Sequence, residues 1–483
     1  MNFITYKRKK RCFFLLFYMV FSDVGIAQEF YSLLNNVLDQ PTLTRMNLSD
    51  LQQTQLKLSS AYIYQDYFRE RIAGKETQSL FGDGVTVNLH AVNARGSFKY
   101  GAIFQVQERR ENYSTPNSDL FINTDYLLEG GNLDLQVGLG NDKMLWGVKI
   151  DQRRTIFTAP SLINEYPESE DSQMNRYFLD WLEPSFGNEF DAQGKFDLTG
   201  LQTFTSLPMG SNLILNLNYR VSESTFAPYV EYLNNSNIDE LQGERQMIFD
   251  GANENQFLEI SLESPLWSFK PTLTLQKNNV DLTIDNPLPK DIIDDFPELG
   301  WLDFSRRGGA FSIESQLENL DLELGVGYSQ WEVNTELSTP VLGRYWLFPI
   351  AHAAQLQISG KSISQHLSFY RELINRGIRV DLNAGYQHAY FDFMVVGEAE
   401  LEFNIRSVPI DDPLQFHLHT ISIGAPISFT LNSFTLQYEI YQMIPWMKRV
   451  DDSAFNFQGE RDQPDRKVRG GGQHMITLSY KLN

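Results

Sequence analysis

The sequence predicts an all-β fold: a transmembrane antiparallel up-and-down β-barrel of about 16 strands (roughly 14 to 18), with short periplasmic turns and long extracellular loops. Three observations carry this expectation. From Leu56 onward, apolar residues recur at every second position, with no helix-period segment of any length. Short and long connections between these runs alternate along the chain. The N-terminus reads as an export signal, and no later segment is apolar enough to cross a bilayer as a helix.

The signal is assigned to residues 1–27. Lys7-Arg8-Lys9-Lys10-Arg11 is its positive region, Cys12 to Phe21 its apolar core, and Gly25-Ile26-Ala27 fits a cleavage site. The apolar run is about half the length of a spanning helix, which argues against an anchor. Its removal takes away Cys12, the one cysteine, so the exported chain forms no disulfide and depends on a large core, a membrane or a partner. Residues 28–53 form a short periplasmic N-terminal segment, in which Phe30 to Leu38 has helical spacing ahead of Asp39-Gln40-Pro41. It is either a short periplasmic helix or a partial plug, or an ordered lead-in to the first strand. Residues 54–483 form the barrel. A mean hydropathy of -0.33 looks like that of a soluble chain, but half of every barrel strand is polar. The formal charge of -21 excludes nucleic acid as a natural partner and suits a lipopolysaccharide layer rich in divalent cations.

One hairpin shows the pattern in its clearest form. Phe311, Ile313 and Leu317 alternate with Ser312, Glu314 and Gln316; after Glu318-Asn319, Leu320, Leu322, Leu324, Val326 and Tyr328 alternate with Asp321 and Glu323. Side chains alternate between faces, so this ribbon has one apolar and one polar side. A soluble sandwich would bury the apolar side. A membrane barrel would turn it to lipid and line a watery lumen with the other.

In chain order, the first strand runs from Leu56 to Tyr67, and a polar loop follows through Gly82-Asp83-Gly84. Val85 to Val92 and Phe98 to Val106 pair about Ala94-Arg95-Gly96. After a loop from Glu108 to Gly130, Leu133 to Leu139 turns at Asn141-Asp142 into Trp146 to Asp151. A loop from Ile156 to Gly194 leads to Phe196 to Phe204, the turn Pro208-Met209-Gly210, and Leu213 to Tyr219. A loop through Asn253 precedes Phe257 to Glu263, the turn Ser264-Pro265, and Trp267 to Leu275. The loop Asn278 to Gly308 enters the hairpin above. Beyond Trp331 a loop passes Arg344, and a strand follows from Ala354 to Tyr370 with Gly360 as a bulge. Asn375-Arg376-Gly377 turns into Ile378 to His388. After Asp411-Asp412-Pro413, Phe416 to Phe429 turns at Asn432-Ser433 into Phe434 to Met443. The last strand follows Gly470-Gly471-Gly472. Only a membrane gives the two ends of a sheet such different connections, and only a closed barrel pairs every backbone group in lipid. Trp146 and Trp267, just after short turns, and Trp331 and Trp446, just before long loops, are the expected aromatic girdles. Trp181, Trp301 and Trp346 fall in long loops.

The closing run Met475-Ile-Thr-Leu-Ser-Tyr-Lys-Leu-Asn483 resembles the C-terminal assembly signal of bacterial outer-membrane β-barrels, although it ends on Leu482-Asn483 and not on Phe. That resemblance implies a Gram-negative cell outer membrane as the location, with lipid, lipopolysaccharide and the barrel-assembly machinery as partners. The lead-in Asp39-Gln40-Pro41-Thr42-Leu43 is similar to that of a porin-like group of uncharacterised Bacteroidota outer-membrane barrels, several of them encoded beside TonB-dependent transporters. Such a transporter is the implied further partner, although residues 28–53 are too short to be a transporter's own plug. Asp452-Ser453-Ala454 also resembles the O-glycosylation motif of that phylum.

The chemistry expected of such a chain lies in its lumen, wide enough at this strand number for an aqueous channel. Parity places Glu314, Gln316, Asp321, Glu323, Arg379, Asp381, Asn383, Gln437 and Glu439 along it, with acids in excess. Mild cation preference follows, unless these charges pair with one another. The expected function is a porin-like or partner-assisted channel for small solutes. The alternative is a filled barrel whose loops serve a TonB-dependent uptake complex. An enzyme is not expected. The one candidate pair, His366 and Ser368 on one face of a strand, is similar to the His-activated Ser of outer-membrane lipid hydrolases, but Ile363, Leu367 and Phe369 occupy the lipid side, so the pair should face the lumen. His417 and His419 share a face without an evident third metal ligand, and no cofactor motif occurs. The clusters Glu168-Ser169-Glu170-Asp171 and Asp291 to Asp295 lack calcium-loop spacing, and Arg466-Lys467-Val468-Arg469 is the one basic cluster of the expected long loops.

Overall fold

In the computed structural model the described residues are 55–482, apart from segments 73–74, 94–95, 115–120, 141–143, 166–188, 211, 235–242, 265, 286–297, 318–319, 342–349, 402–405 and 451–466. The expected signal peptide and N-terminal segment lie outside them. So do Trp181, Trp346, Asp452 to Ala454 and both acidic loop clusters. Of the basic cluster, residues 467–469 open the last strand and their side chains are not described.

The chain runs through β1 (Gln55–Ile72), β2 (Lys75–Asn93), β3 (Phe98–Ser114), β4 (Phe121–Gly140), β5 (Leu145–Glu165), β6 (Glu189–Pro208), β7 (Ile214–Asn234) and β8 (Gly243–Glu263). It continues through β9 (Phe269–Asp285), β10 (Glu298–Leu317), β11 (Leu320–Val341), β12 (Ile350–Arg376), β13 (Ile378–Leu401), β14 (Arg406–Leu431), β15 (Phe434–Arg449) and β16 (Lys467–Leu482). Each strand pairs antiparallel with its predecessor, and β1 pairs with β16, from Leu56 opposite Leu482 to Arg71 opposite Lys467. The sheet is therefore a closed up-and-down barrel of 16 strands. Closure leaves no unpaired edge, which open sheets must otherwise protect.

Burial follows the two-residue period of the strands. On β4, Leu133, Leu135, Val137 and Leu139 are 38 to 50% exposed, while Asn132, Asp134 and Gln136 between them are 1 to 7% exposed. In a closed sheet the concave side is the crowded one, so the polar set faces inward and the apolar set outward. Leu324, Val326 and Tyr328 on β11 and Ile476 and Leu478 on β16 continue the outer apolar face. This is the reverse of a soluble sandwich.

Connections at one end are short. Gly377 alone joins β12 to β13 with φ +78°, a region that side chains with a Cβ avoid, and Asn432 at φ 54° opens the Asn432-Ser433 turn between β14 and β15. Connections at the other end reach the length of 166–188. Strands extend far into the expected long loops, however. β2 begins at Lys75, well before Gly82-Asp83-Gly84, and β14 begins at Arg406, so Asp411-Asp412-Pro413 lies within it. Gly360 is not a bulge: the register is unbroken there, and the ladder shifts instead between Glu372 and Ile374.

Candidate functional site

The candidate site is the inner wall. Long side chains lie flat on it because glycines on the neighbouring strand leave room. A Cβ on Gly200 would stand 2.5 Å from the Asp151 carboxylate, and one on Gly147 would stand 2.2 Å from the Phe204 ring. Asp151 accepts a hydrogen bond from Arg220 across that glycine strand, and Lys149 Nζ lies 3.5 Å from Asp134. Ser206 donates to Asn216 (2.6 Å) and Gln202 to Asn218 (2.7 Å). Along the arc β4–β9 many inner side chains are accordingly buried, among them Leu198, Asn255 and Asn278 at 1 to 3% exposure, while Asn218, Glu259, Thr272 and Gln276 are half-buried.

The arc β10–β15 differs. Glu314, Gln316 and Gln387 are exposed there, and Asp321, Glu323, Asn383, Gln437 and Glu439 half-buried; Asp381, Ser329 and Ser362 are its buried polar exceptions. All nine residues expected in the lumen fall on this arc and on the inner face. Glu314 pairs with Glu323, Gln316 with Asp321, and Gln437 and Arg379 both lie opposite Ser428. Arg379 donates to Asp381 at 2.9 Å and also approaches Glu372. On the same face, β16 and β1–β7 carry Lys481, Lys57, Lys99, Arg109, Lys149, Arg153 and Arg220, with Glu111, Asp134 and Asp151 among them. The acids Glu259, Glu263, Glu314, Asp321, Glu323, Glu372, Asp381 and Glu439 lie on β8–β15, with Lys270, Arg306 and Arg379 as counterparts. Inner charge is thus segregated around the ring, a basic arc facing an acidic one, and acid excess describes only the second.

His366 lies on the inner face, opposite Gly325. Its Nε2 lies 3.3 Å from a Glu323 oxygen, over Gly325, and the Ser368 hydroxyl is not its hydrogen-bond partner. On the outer face, His388 of β13 joins His417 and His419 of β14, an association that depends on register and that the sequence hid. His388 Nε2 meets His417 Nδ1 at 2.8 Å, its Nδ1 meets Gln365 at 2.9 Å, and Tyr386 meets His419 Nδ1 at 2.9 Å. The rings stack and do not turn their nitrogens to one point. Among the described residues, no three His, Cys, Asp or Glu side chains are arranged to hold a metal ion.

Of the expected girdle, Trp146 and Trp267 are exposed beside short turns, Trp267 stacked on Phe269 at 5.2 Å. Trp446 falls on β15 opposite His419, and its side chain is not described. Trp331 is a correction: β11 continues past it to Val341, and it shares the inner face with Ser329, pairing with Arg306 and Gly360. Trp301 is likewise in a strand, β10, and donates to Glu336 at 3.3 Å.

The geometry defines a closed 16-stranded β-barrel with an apolar outer face and a polar, charge-segregated inner wall. No protein-family model matches the chain, and no curated protein matches its sequence. Among solved structures it is similar to the ferric-catecholate import receptor Fiu from K12 E. coli, at 8% identity over 89% of this chain and 82% of that one with a TM-score of 0.39. It is also similar to the toluene transporter TodX from Pseudomonas putida, at 12% identity over 89% of each chain with a TM-score of 0.34. The copper transporter OprC gives 7% identity over 89% and 81%, with a TM-score of 0.37. At such scores these likenesses carry no information on what passes through or binds this barrel.

Proposed function

We propose that the protein is exported by its N-terminal signal, inserted in a bacterial outer membrane by the barrel-assembly machinery, and acts there as a passive or partner-assisted channel for small solutes. The supporting observation is the inner wall: polar, closed around all 16 strands, and with strands in extended contact only with their neighbours around the ring. Among the described residues no strand crosses the lumen. The outer face, with Leu135, Leu201, Val326 and Ile363 near half exposure, has the chemistry of a surface in contact with lipid. Facing basic and acidic arcs oppose each other's selectivity, so the charge sign of a permeating ion should matter less than the acidic sample alone implies.

Single-channel recording in a planar bilayer tests this reading. Stable current steps of porin size are the expected result, and silence from a folded, heat-modifiable barrel rules out an open channel. The tight packing of the β4–β9 inner side favours one competing reading, a filled barrel that serves a TonB-dependent uptake complex through its loops. That reading requires silence together with co-purification of a transporter.

A further inference from the structure

The inner wall changes character toward the long-connection end. Phe304, Trp331, Phe391, Phe393 and Phe416 come from β10, β11, β13 and β14 and gather on the inner face. Ring centroids lie 5.7 Å apart for Phe304 and Trp331, 6.2 Å for Trp331 and Phe391, and 4.7 Å for Phe391 and Phe416. Gly360 makes the cluster possible, since a Cβ there would stand 2.4 Å from the Phe393 ring. Leu356, Ile358, Val395 and Leu414 form the buried floor of the patch, while the five rings remain half-buried. The Arg306 guanidinium lies over the indole of Trp331 at 4.7 Å and donates to Ser329, and Trp331 Nε1 donates to Ser362 at 2.8 Å.

Two features give this patch a direction and a sign. A tilted strand climbs about 2.5 Å per residue, which puts Trp331 roughly 28 Å above the Leu320 end of β11, at the rim of an apolar band about 25 Å tall. A solute entering from that end meets the rings before the Ser and Gly wall below them. Arg306 is the charged side chain among the described ones at this level of the inner face of β10–β14, and guanidinium groups carry a permanent charge. An apolar, aromatic surface with one fixed cation complements a flat apolar body that carries one negative charge.

We propose that this patch is a capture site for aromatic carboxylates, which enter the lumen by stacking on Trp331 and the phenylalanine rings with the carboxylate toward Arg306. The assignment rests on the channel reading and names the solute class for it. The probe is 2-naphthoate, titrated calorimetrically into the purified barrel in nanodiscs, with 2-naphthylmethylamine as the cationic control. Saturable 2-naphthoate binding is expected, about tenfold weaker in Arg306→Gln and in Trp331→Ala, and largely kept in Arg306→Lys. The amine should bind at least tenfold more weakly than the acid. Heat-modifiable migration of each variant verifies its barrel. Equal binding of acid and amine, or unchanged binding in the folded Arg306→Gln and Trp331→Ala barrels, overturns the assignment. Channel current without naphthoate binding overturns it while leaving the conduit standing; binding without current removes the conduit and, with it, the role of the patch in entry to the lumen.

Discussion

The two halves of the inner wall are built from the same alternating strands, yet β4–β9 is packed and β10–β15 is open. On the packed arc, charges are buried against each other: Asp151 with Arg220, Asp134 with Lys149. On the open arc, Glu314, Gln316 and Glu323 stand beside small residues such as Ser312, Gly325 and Ser364, and much of their surface is accessible. Burial raises the cost of breaking a charge pair, because the charge left behind lacks both its partner and water. The same residue types therefore hold the wall together on one arc and are available to a passing solute on the other.

The comparison breaks most visibly at Asp151. Asp151→Ala should destabilise the barrel by about 3–5 kcal/mol, because Arg220 is then buried beside an empty slot, and Asp151→Leu combined with Arg220→Met should recover most of the loss. Urea unfolding followed by heat-modifiable migration measures both. Equal loss in the single and double variants would contradict the pairing. A smaller effect, about 1–3 kcal/mol by the same measurement, is expected of Gly200→Val, whose new side chain would push into the Asp151 carboxylate. On the open arc, Glu314→Lys with Glu323→Lys should leave stability within about 0.5 kcal/mol and move the reversal potential in a salt gradient toward anions. An unmoved reversal potential in a conducting barrel would place the solute path elsewhere. The smallest effect belongs to the turn. Asn432→Gly should be nearly neutral and Asn432→Ala should cost about 1 kcal/mol, since Ala tolerates the left-handed backbone poorly.

What the sequence made legible follows from where the outer face is apolar. Strand number, the turns at Gly377 and Asn432, and the inner positions of Glu314 through Glu439 could all be read, because the outer face is apolar at every second residue. Beyond the apolar band the outer face is polar too, alternation disappears, and Lys75 to Ser79 or Asp411-Asp412-Pro413 look like loop. Trp331 was misplaced for the same reason: polar Glu332 and Asn334 hid the rest of β11. Its parity with Ser329, opposite to Leu324, Val326 and Tyr328, already pointed inward. The basic arc was legible in principle by the same parity on β1–β7. The meeting of His388 with His417 and His419, and of Trp331 with Phe391 and Phe416, was not, because cross-strand partners depend on a register that no single strand encodes.

The pairing of β1 with β16 has a consequence in time. Every other strand finds a partner adjacent in sequence, so hairpins can form as the chain emerges. The seam from Leu56–Leu482 to Arg71–Lys467 joins positions 396 to 426 residues apart, the longest loop the fold must close and the slowest kind of contact to make. Until Lys467 to Leu482 arrives, β1 and β15 are both bare edges, able to pair with each other wrongly or with another chain. The last sixteen-residue strand thus decides when a growing ribbon becomes a finished ring.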